Sequence, residues 1–273
     1  VPEGDTIFRT ATSLRRWIGG REVTAARTTQ PGMDVSVLVG TAVDQVEPRA
    51  KHLLIRFSSG LVLHTHMRMT GSWHVYPTGE RWRKPARQAR FVLETGNRLA
   101  VCFNAPVIEL LDAGEERTHG SLRRLGPDVL RPETLEPDDY RARARARAGS
   151  SPTVGELLLD QQVVSGIGNI YRCESLFLCG VHPEVPSAGL ADEDLDRLVT
   201  TAARIMAVNA GTSAYSRSFD GGPDRPWVYG RHNQPCRRCG SPVARGILGH
   251  QARSVYWCPT CQPRPGPDGA VPT

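Results

Sequence analysis

Two Cys-x-x-Cys pairs, Cys236/Cys239 and Cys258/Cys261, stand 18 residues apart, and this spacing constrains the C-terminal part of the chain more than any other feature. Each pair offers two thiolates from one tight turn, and two such turns complete a tetrahedron around a metal ion. Residues 228–262 hold few large apolar side chains, so burial alone cannot fold them; metal binding worth about 10–16 kcal/mol supplies the difference. Disulfide pairing is the alternative, disfavoured by seven Cys, an odd number, and by an expected cytosolic setting. The expectation is one structural zinc ion in a small finger, with four thiolates closing its shell so that no water is activated. Cys102, Cys173 and Cys179 fall inside predicted elements and are expected to be small buried residues.

A chain of 273 residues can bury two modest cores, so two domains and a small appendage are expected. Apolar runs such as 53–55 and 157–159 are too short to cross a bilayer, and Asp5, Arg15 and Arg16 interrupt any secretory leader. A cytoplasmic protein with no membrane contact, working as a monomer, is the expectation. The formal charge is +6, and residues 217–264 carry eight Arg and two Asp, an excess as large as that of the whole chain. A polyanionic partner at the C-terminal end accounts for this; so does the solvated surface of an Arg-rich proteome. Among the 34 basic residues the only lysines are Lys51 and Lys84. A Lys kept where Arg is otherwise universal suits a titratable amine, which Arg cannot supply; chance survival is the alternative.

Apolar residues at helical spacing predict a helix over residues 5–18, ended by Gly19-Gly20. Alternation then predicts strands to about residue 109, with 52–57 and 61–66 joined by Ser58-Ser59-Gly60, and 91–93 and 99–103 joined by Thr95-Gly96-Asn97. Residues 2–114 are expected to form a β-sandwich with one leading helix. A polar stretch, 114–120, reads as a linker. Helices are predicted over 137–148, 152–164, 169–179 before Gly180 and 192–209 before Gly211, in a domain spanning 120–224. Residues 212–226 read as a mobile loop, 228–262 as the finger, and 263–273, with four prolines, as a disordered tail. The fold class is α+β, multidomain.

Val1 is what literal translation of a GTG start codon gives. A cell would insert Met there and remove it before Pro, so the mature protein is expected to begin with the secondary amine of Pro2. The segments PEGDTIFRTATSLRRWIGG at the front, RAKHLLIRF at 49–57, LLLDQQVVSGIGNIYRCESLF at 157–177 and the finger's YWCPTCQ together resemble the formamidopyrimidine/endonuclease VIII family of DNA glycosylases over about residues 2–262. PEG rather than PEL, and no DxRRFG-like segment around residues 103–109, point to the endonuclease VIII branch, which mainly removes oxidised pyrimidines.

The resemblance implies a bifunctional glycosylase/AP lyase of base excision repair acting on damaged DNA. In it, Pro2 attacks the sugar C1′ to form an iminium and Glu3 protonates the ring oxygen. It further implies that Lys51 contacts the lesion phosphate and that residues 165–169 form the turn of a helix–two-turn–helix motif. Gly168 and the Asn169 amide would there meet a phosphate at a helix N-terminus. Arg253, in the finger hairpin, aligns with an arginine that promotes δ-elimination, and Arg124 and Arg68 align with DNA contacts. Met69 aligns with a wedge that fills the gap left by an extruded base; plain core packing is the alternative reading. Two features depart from the branch: Thr6 stands where the family commonly has Glu, with Asp5 one residue earlier, and Arg68-Met69-Thr70 is closer to the formamidopyrimidine branch. Action on oxidised purines, and a non-catalytic zinc-dependent binder of damaged DNA, are the competing functions.

Overall fold

The computed structural model describes residues 2–212, 217–219, 225–249 and 252–264. Val1, much of the expected loop 212–226 and the expected tail beyond residue 264 lie outside the described residues. The chain divides into two compact units, residues 1–123 and 124–273.

The first unit opens with helix α1 (Gly4–Ile18), whose Ile7, Ala11, Leu14 and Ile18 recur on one side and are all buried. Gly19 ends it where any Cβ would stand 2.5 Å from the Arg15 carbonyl oxygen. Eight strands follow: β1 (Ala25–Thr28), β2 (Val43–Arg49), β3 (His52–Phe57), β4 (Val62–His66), β5 (Ser72–Pro77), β6 (Ala89–Thr95), β7 (Arg98–Phe103) and β8 (Val107–Leu111). They form two antiparallel sheets, ordered β1-β6-β7-β5 and β2-β3-β4-β8. Period-2 alternation sends Leu53, Ile55 and Leu63 of one sheet and Phe91, Leu93 and Cys102 of the other into a shared core with α1. The opposite face of β3 carries His52 and Arg56.

Residues 114–120, read from composition as a polar linker, are largely helical. Asp112 caps helix α2 (Ala113–Thr118) in a reciprocal capping box with Glu115, and α3 (Gly120–Arg123) follows at once. Glu116 on α2 returns to the sheet and receives Arg56 at 2.7 Å, and Arg49 at 3.3 Å. Local capping and this ion-pair network override the low apolar content.

The second unit contains α4 (Pro137–Arg147), α5 (Val154–Leu157), α6 (Asn169–Cys179), α7 (Asp192–Ala210) and the antiparallel hairpin β9 (Ala244–Leu248) and β10 (Arg253–Trp257). The predicted helix over 152–164 is corrected to the four residues of α5. Beyond them side chains take over the backbone's partners: Asp160 accepts from the Gln162 N–H at 3.0 Å, and the Gln161 amide bonds the Leu159 and Ile167 carbonyls and the Gly166 N–H. Helix α6 is buried over nearly its whole length. Tyr171 and Leu176 join α7's Leu198, Ala202, Ile205 and Met206 in one core, while Cys173 and Phe177 join Val228, Val243 and Val255 of the finger in another. Among the described residues no helix is long and apolar enough to cross a membrane.

The Arg56 guanidinium holds the Glu116 carboxyl below its usual range, aided by Arg49. A carboxyl with a lowered folded-state pKa stabilises the fold above its unfolded pKa of about 4.3 and loses that contribution as pH falls through the folded value. Glu116→Gln is therefore expected to lower the urea midpoint at neutral pH, and its deficit against the parent protein should shrink as the pH falls below about 4; urea titrations across that range check both.

Candidate active site and DNA interface

At the head of α1, Pro2 is half-buried and Glu3, the N-cap residue, is 1% exposed; its carbonyl accepts from the Thr6 and Ile7 N–H groups at 2.9 and 3.1 Å. A helix N-terminus favours negative charge beside it, and the fold places Pro2 and the buried Glu3 carboxyl next to each other at that positive dipole end. Asp5 is fully buried and receives Arg9 at 3.3 Å, which ties it into α1 itself.

Lys51 sits in the tight turn between β2 and β3, where Arg49 pairs with His52 and Ala50 takes a left-handed φ of 55°. Across β3 and β4, His52 stands opposite His66. Burial pushes His66 down to about 4, with the charges of Lys51 and Arg68 adding to the effect, so at neutral pH its ring is uncharged and lies close to both cations. The loop after β4 then shows opposite fates for two methionines. Met67 is buried, and its carbonyl receives the Gly71 N–H at 2.8 Å. A Cβ on Gly71 would meet the Met67 backbone at 2.7 Å. Arg68 turns the chain at φ 43°, and Met69 is left 57% exposed. Thr70 closes the loop on the Asn104 carbonyl at 3.1 Å.

In the second unit, Gly166 adopts φ 100° and packs on Val129 and Asp128, and Ser165 exchanges backbone bonds with Pro127 and Val129. This holds the turn so that Gly168 caps α6 and Asn169 begins it. The Asn169 amide donates to the Ser254 carbonyl of β10 at 2.9 Å and accepts from Arg172. Arg172, fully buried, also reaches the Ser254 carbonyl at 2.9 Å. Thus Asn169, expected to address a phosphate, is itself anchored on the finger hairpin, immediately beside Arg253. Arg253, Arg172, Gln161 and Gly249 line a cleft of about 410 Å³ that also takes in Glu156 and Asp160. Arg124, at the start of this unit, is exposed.

One turn further along α6, Glu174 is fully buried, and its carboxylate accepts from the backbone N–H groups of Trp227, Val228 and Tyr229 at 2.6, 3.1 and 2.9 Å. The four finger cysteines bring their sulfurs within 4.8 Å of one another, with Cys236–Cys261 at 3.9 Å and Cys239–Cys258 at 3.4 Å. Tetrahedral zinc with bonds near 2.3 Å needs sulfurs about 3.8 Å apart, so the donor set fits that ion. The backbone N–H groups of Arg238 and Cys261 point at Cys236 and Cys258 sulfurs, as thiolate ligands require. His66, Arg172 and Glu174 were not singled out from the sequence. Arg172 and Glu174 were nonetheless visible as charges inside an otherwise apolar helical segment, and His66 as the second histidine of an alternating pair.

Residues 1–106 match the formamidopyrimidine-DNA glycosylase N-terminal domain, and residues 125–218 the formamidopyrimidine-DNA glycosylase H2TH domain. The chain is 40% identical over 270 residues to a probable endonuclease 8 2 of Streptomyces coelicolor, covering 98% of this chain and 96% of that one. It is 35% identical to the DNA-(apurinic or apyrimidinic site) lyase Nei2 of Mycolicibacterium smegmatis, over 96% of this chain and 99% of that protein. Its fold is shared with Lactococcus lactis formamidopyrimidine-DNA glycosylase solved with DNA, at a TM-score of 0.80 and 22% identity, covering 96% and 100% of the two chains. These likenesses define a DNA glycosylase with AP lyase activity. The chain belongs to the formamidopyrimidine-DNA glycosylase and endonuclease 8 family.

Glu174→Gln replaces one acceptor oxygen with an NH₂ group facing backbone N–H donors. A loss of about 2–3 kcal/mol is expected from unsatisfied buried groups, read as an earlier urea midpoint and as faster proteolysis around residues 227–229.

Proposed function

We propose that the protein excises oxidised pyrimidines and then cleaves the abasic strand on both sides through an iminium on Pro2. The observation that carries this reading is the buried Glu3 carboxyl directly after Pro2 at the head of α1. The Pro2 nitrogen attacks C1′; the base departs with the glycosidic electron pair and takes up a proton. Glu3 gives its proton to the ring oxygen, the C1′–O bond opens, and the amine loses its proton as the iminium forms. Removal of a C2′ proton then expels the 3′ phosphate, and a further elimination expels the 5′ phosphate.

Lys51 and Arg68, gathered around the neutral His66, are assigned to the DNA backbone, and so are Arg124 and the N-terminus of α6 at Gly168 and Asn169. Met69 is assigned as the wedge: it is exposed while Met67 takes the place in the core, and an apolar side chain held out of the core suits insertion between bases. Arg253, beside the Asn169 anchor, is assigned to the phosphate whose departure completes δ-elimination. The four cysteines hold one structural zinc that keeps the Arg253 hairpin folded. The endonuclease 8 and lyase names of the relatives support the branch and the lyase half, and the protein is assigned to the cytoplasm as a monomer.

The loop Arg68-Met69-Thr70, closer to the formamidopyrimidine branch, favours a second reading in which oxidised purines are the substrate. Base release from duplexes carrying one lesion of each kind separates the two. Borohydride is expected to trap a covalent protein–DNA adduct when the chain starts at Pro2, and none when Val1 is retained and acylates the nitrogen; no adduct from the Pro2 form would overturn the iminium assignment. Arg253→Ala is expected to keep the finger metal and β-elimination while δ-elimination falls by at least tenfold, about 1.4 kcal/mol in barrier, as resolved by product gels.

A further inference from the structure

We propose that His64, Glu109 and His119 form a second metal site, in residues 1–123, for a divalent cation of the zinc class. The site lies on the face of the β2-β3-β4-β8 sheet that points away from the core. His64 of β4 and Glu109 of β8 are direct cross-strand partners, so their side chains leave the sheet on the same side as neighbours. The turn between α2 and α3 adds His119. The His64 Nδ1 stands 2.7 Å from a Glu109 carboxylate oxygen, and the His119 Nε2 stands 3.1 Å from the same oxygen. All three donor atoms lie within 4.8 Å of one another. Zinc bonds of about 2.0–2.1 Å to nitrogen and oxygen place tetrahedral donors about 3.4 Å apart, a spacing these side chains reach by small rotations. The Glu109 side chain is 43% exposed and can move, whereas His64 at 1% is fixed.

What separates this group from a chance cluster is the second nitrogen of each ring. His64 Nε2 faces His52 Nδ1 at 2.8 Å, and His119 Nδ1 faces the Ser121 hydroxyl at 3.1 Å. Ligating imidazoles are characteristically held in this way at their other nitrogen. Without metal, the bonds run from His52 Nδ1–H to His64 Nε2, from His64 Nδ1–H to Glu109, and from His119 Nε2–H to Glu109. With metal, the same atoms serve in the opposite tautomer. His64 ligates through Nδ1 and donates Nε2–H to His52, whose own proton moves to its Nε2. His119 ligates through Nε2 and donates Nδ1–H to Ser121. The buried His64 and His52 rings each keep one proton throughout, so loading that pair requires tautomer exchange rather than proton loss.

Two imidazole nitrogens and one carboxylate suit zinc, cobalt or nickel rather than the all-oxygen shells of magnesium and calcium. Unlike the four-thiolate finger, three protein donors leave a position for solvent. The consequence is mechanical: the ion would fasten the α2–α3 turn to β4 and β8, and its outer hydrogen bond ends on His52, the residue after Lys51.

The two sites differ in spectrum, which makes the test clean. Full-length protein stripped of metal and titrated with Co²⁺ is expected to take two equivalents per chain. One should show the intense thiolate charge-transfer bands of the finger, the other weak visible bands without them. Zinc analysis after dialysis against micromolar Zn²⁺ should likewise give two ions per chain. His119→Ala is expected to bind one, with the finger's charge-transfer bands unchanged. Glu109→Gln serves as the second variant should His119→Ala fail to fold, and is expected to weaken the second equivalent by at least tenfold. One ion per chain in the parent protein, or two retained in both variants, would overturn the proposal and leave a hydrogen-bonded histidine network.

Discussion

The carboxylate of Glu174 is buried completely, yet three successive backbone N–H groups of residues 227–229 converge on it. Taking a carboxylate out of water is costly unless donors replace the hydration, and here the replacement is the very segment that leads into the finger. Burial pushes the carboxyl up, while the three backbone donors act in the opposite direction. Nearer the start of the same helix, Asn169 and Arg172 both bond the Ser254 carbonyl. Helix α6 is thus bonded to the start of the finger and to its second strand, and its Cys173 and Phe177 complete a finger core that would otherwise be thin. The position of Arg253, one residue before Ser254, follows from these bonds as much as from the cysteines.

The first unit works by dividing the two faces of its strands. Alternation in β3 and β4 sends Leu53, Ile55 and Leu63 into a dry core, and sends His52, Arg56 and His64 to the other face. That face is held by ion pairs around Glu116 and by ring-to-ring bonds around His64. Groups at the strand ends inherit their positions from this frame. The tight turn presents Lys51, and Met67 is buried beside the close approach at Gly71 while Met69 stands exposed. Burial keeps the His66 ring uncharged at neutral pH, so it adds no repulsion to the charges of Lys51 and Arg68 nearby.

Features set by local spacing were legible in the sequence: the Cys-x-x-Cys turns, the α1 periodicity, the alternation of β3 and β4, and the Gly180 and Gly211 stops. Each depends on residues within one or two turns of each other, so a pattern in the chain is enough. The failures were also local in origin. Side chains of Asp160 and Gln161 took backbone partners that a helix over 158–164 would have needed, and a capping box made helix from a stretch too polar to suggest it.

What only the tertiary structure decided rests on partners far apart in the chain. Asn169 bonds a carbonyl 85 positions away, and Glu174 bonds nitrogens more than 50 positions away. His64, Glu109 and His119 meet only once β4 pairs with β8 in register and α2 turns back over the sheet. Even the choice between Met67 and Met69 for the exposed position depended on the left-handed turn at Arg68 and the packing at Gly71. The sequence by itself determined which residue types could do the chemistry and that four cysteines could hold one metal ion. Where each donor points was decided by strand register and by buried polar groups that had to find partners, and neither is written in local periodicity.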